Sequence, residues 1–192
     1  MEEYKESFNG DIFLQEKFKS LVNEHTPDVI IETGTHKADT TVYLASFGIP
    51  VITTEINAEY FEFSKKRLEK YNNVTALFGD SAKVLKENFE TIRDKKIIAF
   101  LDAHWLSDMV LERELELFCD LKIKPIILIH DFYVPNTNLG YDTYNGQRYE
   151  YDFFKPYFDK LYSQDNYKHS FNSQATGLQR GVIFLEPKIN NI

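Results

Sequence analysis

Residues 29–35 read VIIETGT, and this stretch decides the fold. Its first three residues are β-branched and apolar, which is typical of a strand covered on both faces of a sheet. The apolar run ends at Glu32, and an amphipathic segment follows over residues 40–47. A buried strand followed by a helical period is typical of the β-α unit from which parallel sheets are built.

The same alternation continues along the chain. It predicts a single α/β domain over residues 1–192, with a Rossmann-like, doubly wound sheet that is mostly parallel. We expect an N-terminal helix within residues 1–26, a C-terminal antiparallel strand pair at one edge of the sheet, and the apolar run PIILIHD (125–131) at its centre. The predicted strands are 29–33, 50–56, 74–78, 96–102, 125–130, 167–172 and 180–185, and the predicted helices are 11–24, 40–47, 57–71, 82–89, 111–121 and 151–161.

Length and charge restrict the partners. The chain has 192 residues, a typical size for one domain, and its 22 basic and 30 acidic residues give a net charge of −8. Nucleic acid is therefore not an expected partner, because its binding depends largely on neutralising phosphates. The N-terminus MEEYKESFNG lacks the basic and apolar regions of a signal peptide, and no stretch reaches 18 apolar residues. We expect a cytoplasmic protein with a small-molecule partner and no membrane contact, and the oligomeric state stays open.

The segment 132–150 has no hydrophobic period and is rich in Pro, Asn, Gly and Tyr. Loops of this length in compact domains are usually functional or disordered, so we interpret it as a lid over the substrate. Aromatic residues in and near it are candidates for a wall of the substrate site, although 15% of the whole chain is aromatic. These residues are Trp105, Tyr133, Tyr141, Tyr144 and Tyr149.

Acidic residues follow most of the predicted strands. In doubly wound sheets, ligands bind outside the carboxyl ends of the strands, so these residues are the first candidates for a site. Carboxylates that are brought together repel one another unless a cation offsets them. We therefore expect a positively charged ligand among the acids at the strand ends, which are Glu32, Glu55, Asp80, Asp102 and Asp131.

A dinucleotide is the first ligand to consider. Gly34 and Glu55 lie 21 positions apart, close to the spacing between a glycine turn and a ribose-binding acid. The loop GTHKADTT (34–41), however, has one glycine where a pyrophosphate site needs three, and Asp39 would face the phosphates. S-adenosylmethionine (SAM) has ribose, adenine and a cationic sulfur but no phosphate. Glu55 can accept from its ribose hydroxyls, and Asp80 with Ser81 can reach the adenine amine or cap the following helix, or do both.

The motifs, taken in order, resemble those of the class I SAM-dependent methyltransferases, in particular the branch with the macrocin-type O-methyltransferases. They are ETGTHKADTT (32–41), TTEIN (53–57), GDSAKVL (79–85), AFLDAHW (99–105), LERELELF (111–118) and ILIHDF (127–132). The first loop departs from the glycine-richer family pattern over residues 36–39. The resemblance implies that Glu32, Gly34 and Thr35 line the methionine end of SAM, that Glu55 with Ile56 lies at the ribose, that Asp80 and Ser81 lie at the adenine, and that Asp102 lies at the reacting centre.

A divalent metal is a further possible cofactor. Asp102 and Asp131 follow strands that are neighbours in the usual strand order, and with His130 they suit Mg²⁺, Mn²⁺ or a borderline metal. The resemblance implies metal-binding acids at these strand ends, and this chain has His130 where an acid is common. The alternative is that both acids orient a substrate hydroxyl without a metal. His104 or His130 is the candidate base, because the ordinary pKa of histidine lies near neutral pH.

These observations predict a SAM-dependent methyltransferase that acts on a small polar acceptor, through oxygen, by in-line displacement. Asp102, His104 and His130 are the predicted catalytic residues, and Asp102 organises the acceptor or a metal. One alternative is a metal-dependent hydroxylase or hydrolase that uses Asp102, His104, His130 and Asp131. The other is a non-catalytic protein that binds SAM and reports its occupancy to a partner.

Overall fold

The computed structural model describes residues 5–104, 108–164 and 166–188. A seven-stranded sheet with the order β3-β2-β1-β4-β5-β9-β8 runs through the molecule, and β6 and β7 form a separate hairpin. Strands β1 to β5 are parallel, while β9 is antiparallel to both β5 and β8. The strands are β1 Val29–Thr33, β2 Val51–Glu55, β3 Val74–Phe78, β4 Ile97–Leu101, β5 Ile126–Ile129, β6 Thr143–Tyr144, β7 Gln147–Arg148, β8 Tyr167–Phe171 and β9 Ile183–Pro187.

This strand order confirms the predicted doubly wound sheet with an antiparallel pair at one edge. The chain builds outward from β1 to the edge strand β3 and then returns to place β4 on the other side of β1. The carboxyl ends of β1 and β4 therefore flank the switch point where ligands bind in such sheets. The prediction that residues 125–130 form the sheet centre is wrong, because β4 is the middle strand. β5 is apolar since it is buried on both faces and has a neighbour on each side.

Helices cover both faces of the sheet. Side chains of β1, β4 and β5 alternate between two cores, one formed with α1 and α2 and the other with α4, α5 and α6. Asp11 and Asn57 cap α1 and α3 by accepting backbone N–H groups, as their short polar side chains favour. The helices begin and end within about three residues of the predicted bounds. They are α1 Ile12–His25, α2 Asp39–Ala45, α3 Ala58–Leu68, α4 Ser81–Glu87, α5 Val110–Asp120 and α6 Tyr151–Tyr162.

The segment 132–150 is partly regular, contrary to the prediction. β6 and β7 are joined at Asn145 and Gly146, which both have positive φ (51° and 83°). Asn-Gly is the preferred sequence for a two-residue hairpin turn, and this signal was overlooked because two-residue strands are too short to show alternation. The role of the segment 132–150 as a lid stays a prediction, and so does the single domain over residues 1–192. None of the helices in the described ranges is both long enough and apolar enough to span a membrane.

Candidate active site

A cavity of about 350 Å³ lies at the carboxyl ends of the parallel strands, where the switch point predicts a ligand. This volume falls within the range of roughly 300–1,000 Å³ that small-molecule sites occupy. Most of the predicted site residues line its wall, while Glu32, Thr35 and His130 lie outside it. The predicted residues in the wall are Gly34, Glu55, Ile56, Asp80, Ser81, Asp102, His104 and Asp131.

Gly34 allows the ends of β1 and β4 to approach each other. Its φ is +87°, and a Cβ atom at this position would lie 2.5 Å from the carbonyl oxygen of Asp102. A side chain here would meet backbone, which cannot rotate away, and would also strain its own backbone. The single glycine of the first loop is therefore required by the close packing of β1 against the residue that follows β4.

Glu55 and Thr54 form a polar wall at the end of β2. The Glu55 carboxylate accepts from the backbone N–H of His36 (2.7 Å) and of Asn57 (2.8 Å), which leaves lone pairs on both oxygens for further donors. The Thr54 hydroxyl is buried and has no hydrogen-bond partner among the described residues. This oxygen has almost no accessible surface, so the hydroxyl itself is not open to a ligand in the cavity, and Glu55 is the polar group of this wall that a ligand can reach.

Asp80 and Ser81 begin α4 at the far side of the cavity. Asp80 caps the helix by accepting from the Lys83 N–H (3.0 Å) and pairs with the Arg113 guanidinium (2.8 Å). Ser81 donates to the Glu114 carboxyl group (2.5 Å). The helix-capping role is therefore present, and the predicted contact of Asp80 and Ser81 with adenine stays a prediction.

Glu114 is a buried acid that the sequence reasoning missed. It lies on the apolar face of α5, beside Leu111, Leu115 and Phe118, and burial raises its pKa to about 7, while the hydrogen bond from Ser81 works in the opposite direction. Glu114 lies three residues after Leu111 and four before Phe118, which puts it on the same face of the helix as these apolar residues. This spacing was the sequence signal that could have predicted its burial.

Glu32 and Thr35 belong to a buried network beneath the first loop. Glu32 is 1% exposed and accepts from the hydroxyls of Thr41 (2.5 Å) and Thr53 (2.7 Å). Burial raises the pKa of Glu32 to about 8, although both hydrogen bonds lower it. The Thr35 hydroxyl shares a hydrogen bond with Thr53 (2.6 Å). These contacts give both residues a structural role, and their contact with the methionine end of SAM stays a prediction.

The ends of β4 and β5 bring together two aspartates and two histidines. Asp102 Oδ1 lies 3.1 Å from both His104 Nε2 and His130 Nδ1. Asp131 reaches the same ring nitrogens, His104 through Oδ2 (3.1 Å) and His130 through Oδ1 (3.2 Å). The sequence-based expectation that Asp102 and Asp131 follow neighbouring strands agrees with the pairing of β4 and β5. One ligand atom from each of Asp102, His130 and Asp131 lies within 4.8 Å of the others, close enough for one cation.

Three further residues surround this cluster: the sequence reasoning missed Asp142 and Arg180, and it placed Tyr144 in a substrate wall instead. His104 Nδ1 lies 3.1 Å from Asp142 Oδ2 and also contacts the Tyr144 hydroxyl. Arg180 bridges Asp131 and Asp142, one guanidinium nitrogen to each carboxylate. Asp142 and Tyr144 lie in a segment without a period, and Arg180 is distant in sequence. Nothing in the sequence indicated that these three residues meet His104.

The cluster holds its protons on the histidines. Burial favours the neutral imidazole of both, but the carboxylates outweigh it, so the pKa of His104 is well above its ordinary value and that of His130 is raised to about 10. Burial raises the pKa of Asp102 and Asp131, yet the two histidines lower both below the ordinary value. In this arrangement neither ring has a lone pair free to accept a proton, and the predicted role of His104 or His130 as base stays a prediction.

Asn9 also lines the cavity, and no pattern in the sequence predicts this. It lies in the 3₁₀ turn Ser7–Gly10, which Phe8 anchors in the core. A Cβ atom on Gly177 would lie 1.9 Å from the Asn9 carbonyl oxygen, and Leu178 N–H donates to that oxygen (3.2 Å). The N-terminal turn is therefore held over the cavity by residues 177–178.

The predicted aromatic wall does not line this cavity in the described part of the chain. Tyr144 and Tyr149 are buried in the core, and Tyr133 stacks edge-on with Tyr141 outside the cavity wall. Trp105 lies outside the described residues.

Several solved structures with a similar fold are methyltransferases. An O-methyltransferase from Bacillus cereus in complex with S-adenosylhomocysteine (SAH) aligns with a TM-score of 0.63 and 18% identity, over 92% of this chain and 81% of that one. The fold is that of the class I methyltransferases. The O-methyltransferase TomG from Streptomyces achromogenes, in complex with SAM, aligns with a TM-score of 0.62 and 15% identity, over 92% of this chain and 80% of that one. The SAH-bound methyltransferase PaMTH1 from Podospora anserina aligns with a TM-score of 0.60 and 15% identity, over 92% of this chain and 78% of that one.

Sequence comparison adds no closer relative. No protein-family model matches the chain, and no curated protein matches it. At such low identities the methyltransferase fold is shared, while the residues of the site must be judged by their own geometry.

Proposed function

We propose that the chain is a SAM-dependent methyltransferase that methylates an oxygen of a small polar acceptor. The observation that carries this proposal is the Glu55 carboxylate, which lines a cavity at the switch point of a methyltransferase fold and accepts one backbone N–H on each oxygen, so that lone pairs remain on both. A ribose supplies two neighbouring hydroxyls that can donate to a carboxylate of this kind.

The charge of the cavity supports SAM over a nucleotide. Its described wall contains four carboxylates and no lysine or arginine. Arg113 offsets Asp80, Arg180 offsets Asp131, and the two histidines offset Asp102, so the negative charge left in the wall is mainly that of Glu55. Glu55 would repel a phosphate placed near it and would attract a cation. The four acids are Glu55, Asp80, Asp102 and Asp131.

A more open groove beside the cavity offers room for the acceptor. It is continuous with the cavity, since Asn9 and His36 line both. The groove runs between the start of α1 and residues 176–178 and presents polar side chains such as Gln15 and Lys19 together with the exposed apolar side chains of Ile12 and Leu178. An acceptor that enters here reaches the cavity past Asn9.

Asp102 is the residue best placed to organise the acceptor. Bound in the cavity, SAM supplies a methyl group made electrophilic by its cationic sulfur. Asp102 Oδ1 is held by the two histidines, and Oδ2 has no hydrogen-bond partner among the described residues, so it is available to an acceptor hydroxyl. Holding two reactants in line supplies roughly 7–11 kcal/mol of the barrier reduction. As the C–O bond forms and the S–C bond breaks, the hydroxyl proton becomes strongly acidic and passes to the carboxylate.

Calorimetric titration with SAM and SAH, with and without Mg²⁺, tests the proposal. We expect one molecule of either ligand per chain, and at least a tenfold loss of affinity in Glu55→Gln. Glu59→Gln, which alters an exposed acid at the start of α3, is the matched control and should bind normally. Binding of a dinucleotide in place of SAM and SAH, or of neither class, would contradict the proposal. Tight SAM binding without SAH production over a broad acceptor panel would leave the non-catalytic alternative.

A further inference from the structure

We propose that Asn9 binds the amino-acid end of SAM, the part that carries the α-ammonium and α-carboxylate groups. Its carboxamide takes the place at this end of the ligand that the family resemblance implies for Glu32 and Thr35. The inference concerns how SAM lies in the cavity, and it therefore rests on the proposed function.

Glu32 and Thr35 are poorly placed to contact a ligand in the cavity. Glu32 is 1% exposed and accepts from the hydroxyls of Thr41 and Thr53, and Thr35, which is 4% exposed, shares a hydrogen bond with Thr53. Neither Glu32 nor Thr35 lines the cavity. The amino-acid end of SAM therefore needs polar partners from another part of the chain.

The order of the strands gives SAM a direction in the cavity. Asp80 follows the edge strand β3, Glu55 ends the neighbouring strand β2, and both line the cavity. With adenine at Asp80 and the ribose at Glu55, the amino-acid end extends toward β1, the next strand in the sheet. Asn9 is on that side, because the N–H of the adjacent Phe8 donates to the hydroxyl of Thr40 (2.9 Å) in α2, the helix that follows β1.

The carboxamide of Asn9 is free to bind a ligand. Asn9 is exposed and lines the cavity, and its side chain has no hydrogen-bond partner among the described residues. Its backbone oxygen is already used, since it accepts from the Leu178 N–H (3.2 Å). A carboxamide donates through its NH₂ group and accepts through its oxygen, so it can pair with either the carboxylate or the ammonium group of an amino acid.

The backbone holds Asn9 in a conformation that few residues adopt. Phe8 and Asn9 both have positive φ (51° and 57°), which is uncommon for residues other than glycine and least favourable for a bulky one such as Phe8. The buried Phe8 ring packs on Phe18, Tyr43 and Phe100 and fixes the turn. Strained backbone that the surrounding structure maintains is concentrated at binding and catalytic sites. The strain of this turn therefore supports a role for Asn9 in binding.

The position of Asn9 also suits a charged ligand end. Asn9 and His36 line both the cavity and the open groove, so a group bound at Asn9 remains in contact with water. Full burial of a carboxylate and an ammonium group would be costly, and no lysine or arginine lines the described wall of the cavity to offset the carboxylate. The bound amino-acid end then forms one side of the passage by which the acceptor enters.

Calorimetry with SAH and methylthioadenosine tests the proposal, because methylthioadenosine keeps the adenine, ribose and sulfur of SAH but lacks the amino-acid end. We expect the wild type to bind SAH at least tenfold more tightly than methylthioadenosine. Asn9→Gly removes the carboxamide and tolerates positive φ, so SAH affinity should fall at least fivefold while methylthioadenosine affinity stays within about twofold of the wild-type value. A merely structural role of the turn would lower both affinities alike.

Asn136→Gly is the matched control. Asn136 is likewise an exposed asparagine with positive φ (61°), but it lines neither the cavity nor the groove. This variant should bind both compounds as the wild type does. Equal losses of affinity for SAH and methylthioadenosine in Asn9→Gly, or no loss for either compound, would overturn the proposal.

If Asn9→Gly does not fold, a crystal structure of the wild-type chain with SAH decides. We expect the carboxylate or the ammonium group of SAH within hydrogen-bonding distance of the Asn9 carboxamide. An amino-acid end that contacts Glu32 or Thr35, or any other part of the chain without touching Asn9, would overturn the proposal.

The failure of this inference is distinguishable from that of the proposed function. Equal affinity of the wild type for SAH and methylthioadenosine would overturn only the assignment of Asn9, because the nucleoside is still bound. A chain that binds neither compound would overturn the proposed function and, with it, this inference.

Discussion

A Cβ atom on Gly34 would lie 2.5 Å from the carbonyl oxygen of Asp102, so the turn after β1 packs directly against the backbone after β4. This contact lies at the switch point of the sheet and forms part of the cavity wall. The same backbone position supports Asp102, the residue that we place at the reacting centre. Fold and site are therefore linked at one residue.

Gly34→Ala should destabilise the fold and weaken SAM binding, because the new methyl group forces β1 and β4 apart. Gly48→Ala is the matched control: its φ is also positive (+71°), but nothing lies within 4 Å of the new atom. The left-handed backbone alone costs about 1–2 kcal/mol, and we expect the total loss for Gly34→Ala to be larger, about 3 kcal/mol or more. Urea unfolding measures the stability of the two variants. Equal losses of unfolding free energy in Gly34→Ala and Gly48→Ala would show that the contact with the Asp102 backbone has no energetic cost.

Thr54→Val should have little effect on stability. The Thr54 hydroxyl is unpaired among the described residues and has almost no accessible surface, so its removal should leave the free energy of unfolding within about 0.5 kcal/mol of the wild-type value and leave SAM affinity unchanged. The neighbouring Thr53→Val is the control, since it removes a hydrogen bond to buried Glu32 and should cost about 1–3 kcal/mol. Urea unfolding measures both variants, and equal losses of stability would show that the Thr54 hydroxyl has a partner in the folded chain.

Much of the fold was predictable because buried parallel strands are long apolar runs. β1 and β3 were predicted with their observed bounds, and the pairing of β4 with β5 explains why Asp102 lies near His130. The position of β5 within the sheet was not predictable from its hydrophobicity, because any strand buried on both faces is equally apolar.

The periphery of the site was not predictable for a different reason. Arg180 meets Asp142 through contacts between segments that have no hydrophobic period, and Asn9 reaches the cavity because a turn packs on Gly177. Such contacts depend on tertiary packing and leave no local pattern. Glu114 differs from these, because its place in the apolar stripe of α5 was visible in the sequence.

The buried Glu32 predicts a pH dependence of stability. Its pKa rises from 4.5 to about 8 on folding. Between these two values the unfolded chain has lost the proton that the folded chain keeps, so Glu32 lowers the free energy of unfolding increasingly as pH rises from about 5 to 8. Glu32→Gln removes this effect, so its free energy of unfolding should rise relative to that of the wild type as the pH increases from about 5 to 8.

Urea unfolding at pH 5, 6.5 and 8 measures the difference in unfolding free energy between the wild type and Glu32→Gln. The exposed acid Glu59 provides the control, since Glu59→Gln should follow the wild type at all three pH values. A constant difference between wild type and Glu32→Gln across this range would show that Glu32 does not keep its proton in the folded chain.

Arg180→Gln should loosen the segment 132–150. Arg180 pairs with Asp131 and Asp142, and removing it leaves these two carboxylates with the histidines as their remaining charge partners. We expect a loss of about 2 kcal/mol, less than for a fully buried pair because Asp142 is partly exposed, and faster amide exchange in this segment. Arg148→Gln, which breaks a more exposed pair with Glu150, should have no measurable effect on stability. Similar effects of the two substitutions would show that Arg180 does not hold the segment.

A crystal structure of the chain with SAH bound tests the central claim most directly. We predict the nucleoside in the cavity at the ends of β1, β2 and β4, with both ribose hydroxyls within hydrogen-bonding distance of the Glu55 carboxylate and the sulfur on the side of Asp102. Occupied SAH at another place on the chain, or a ribose that does not contact Glu55, would contradict the account.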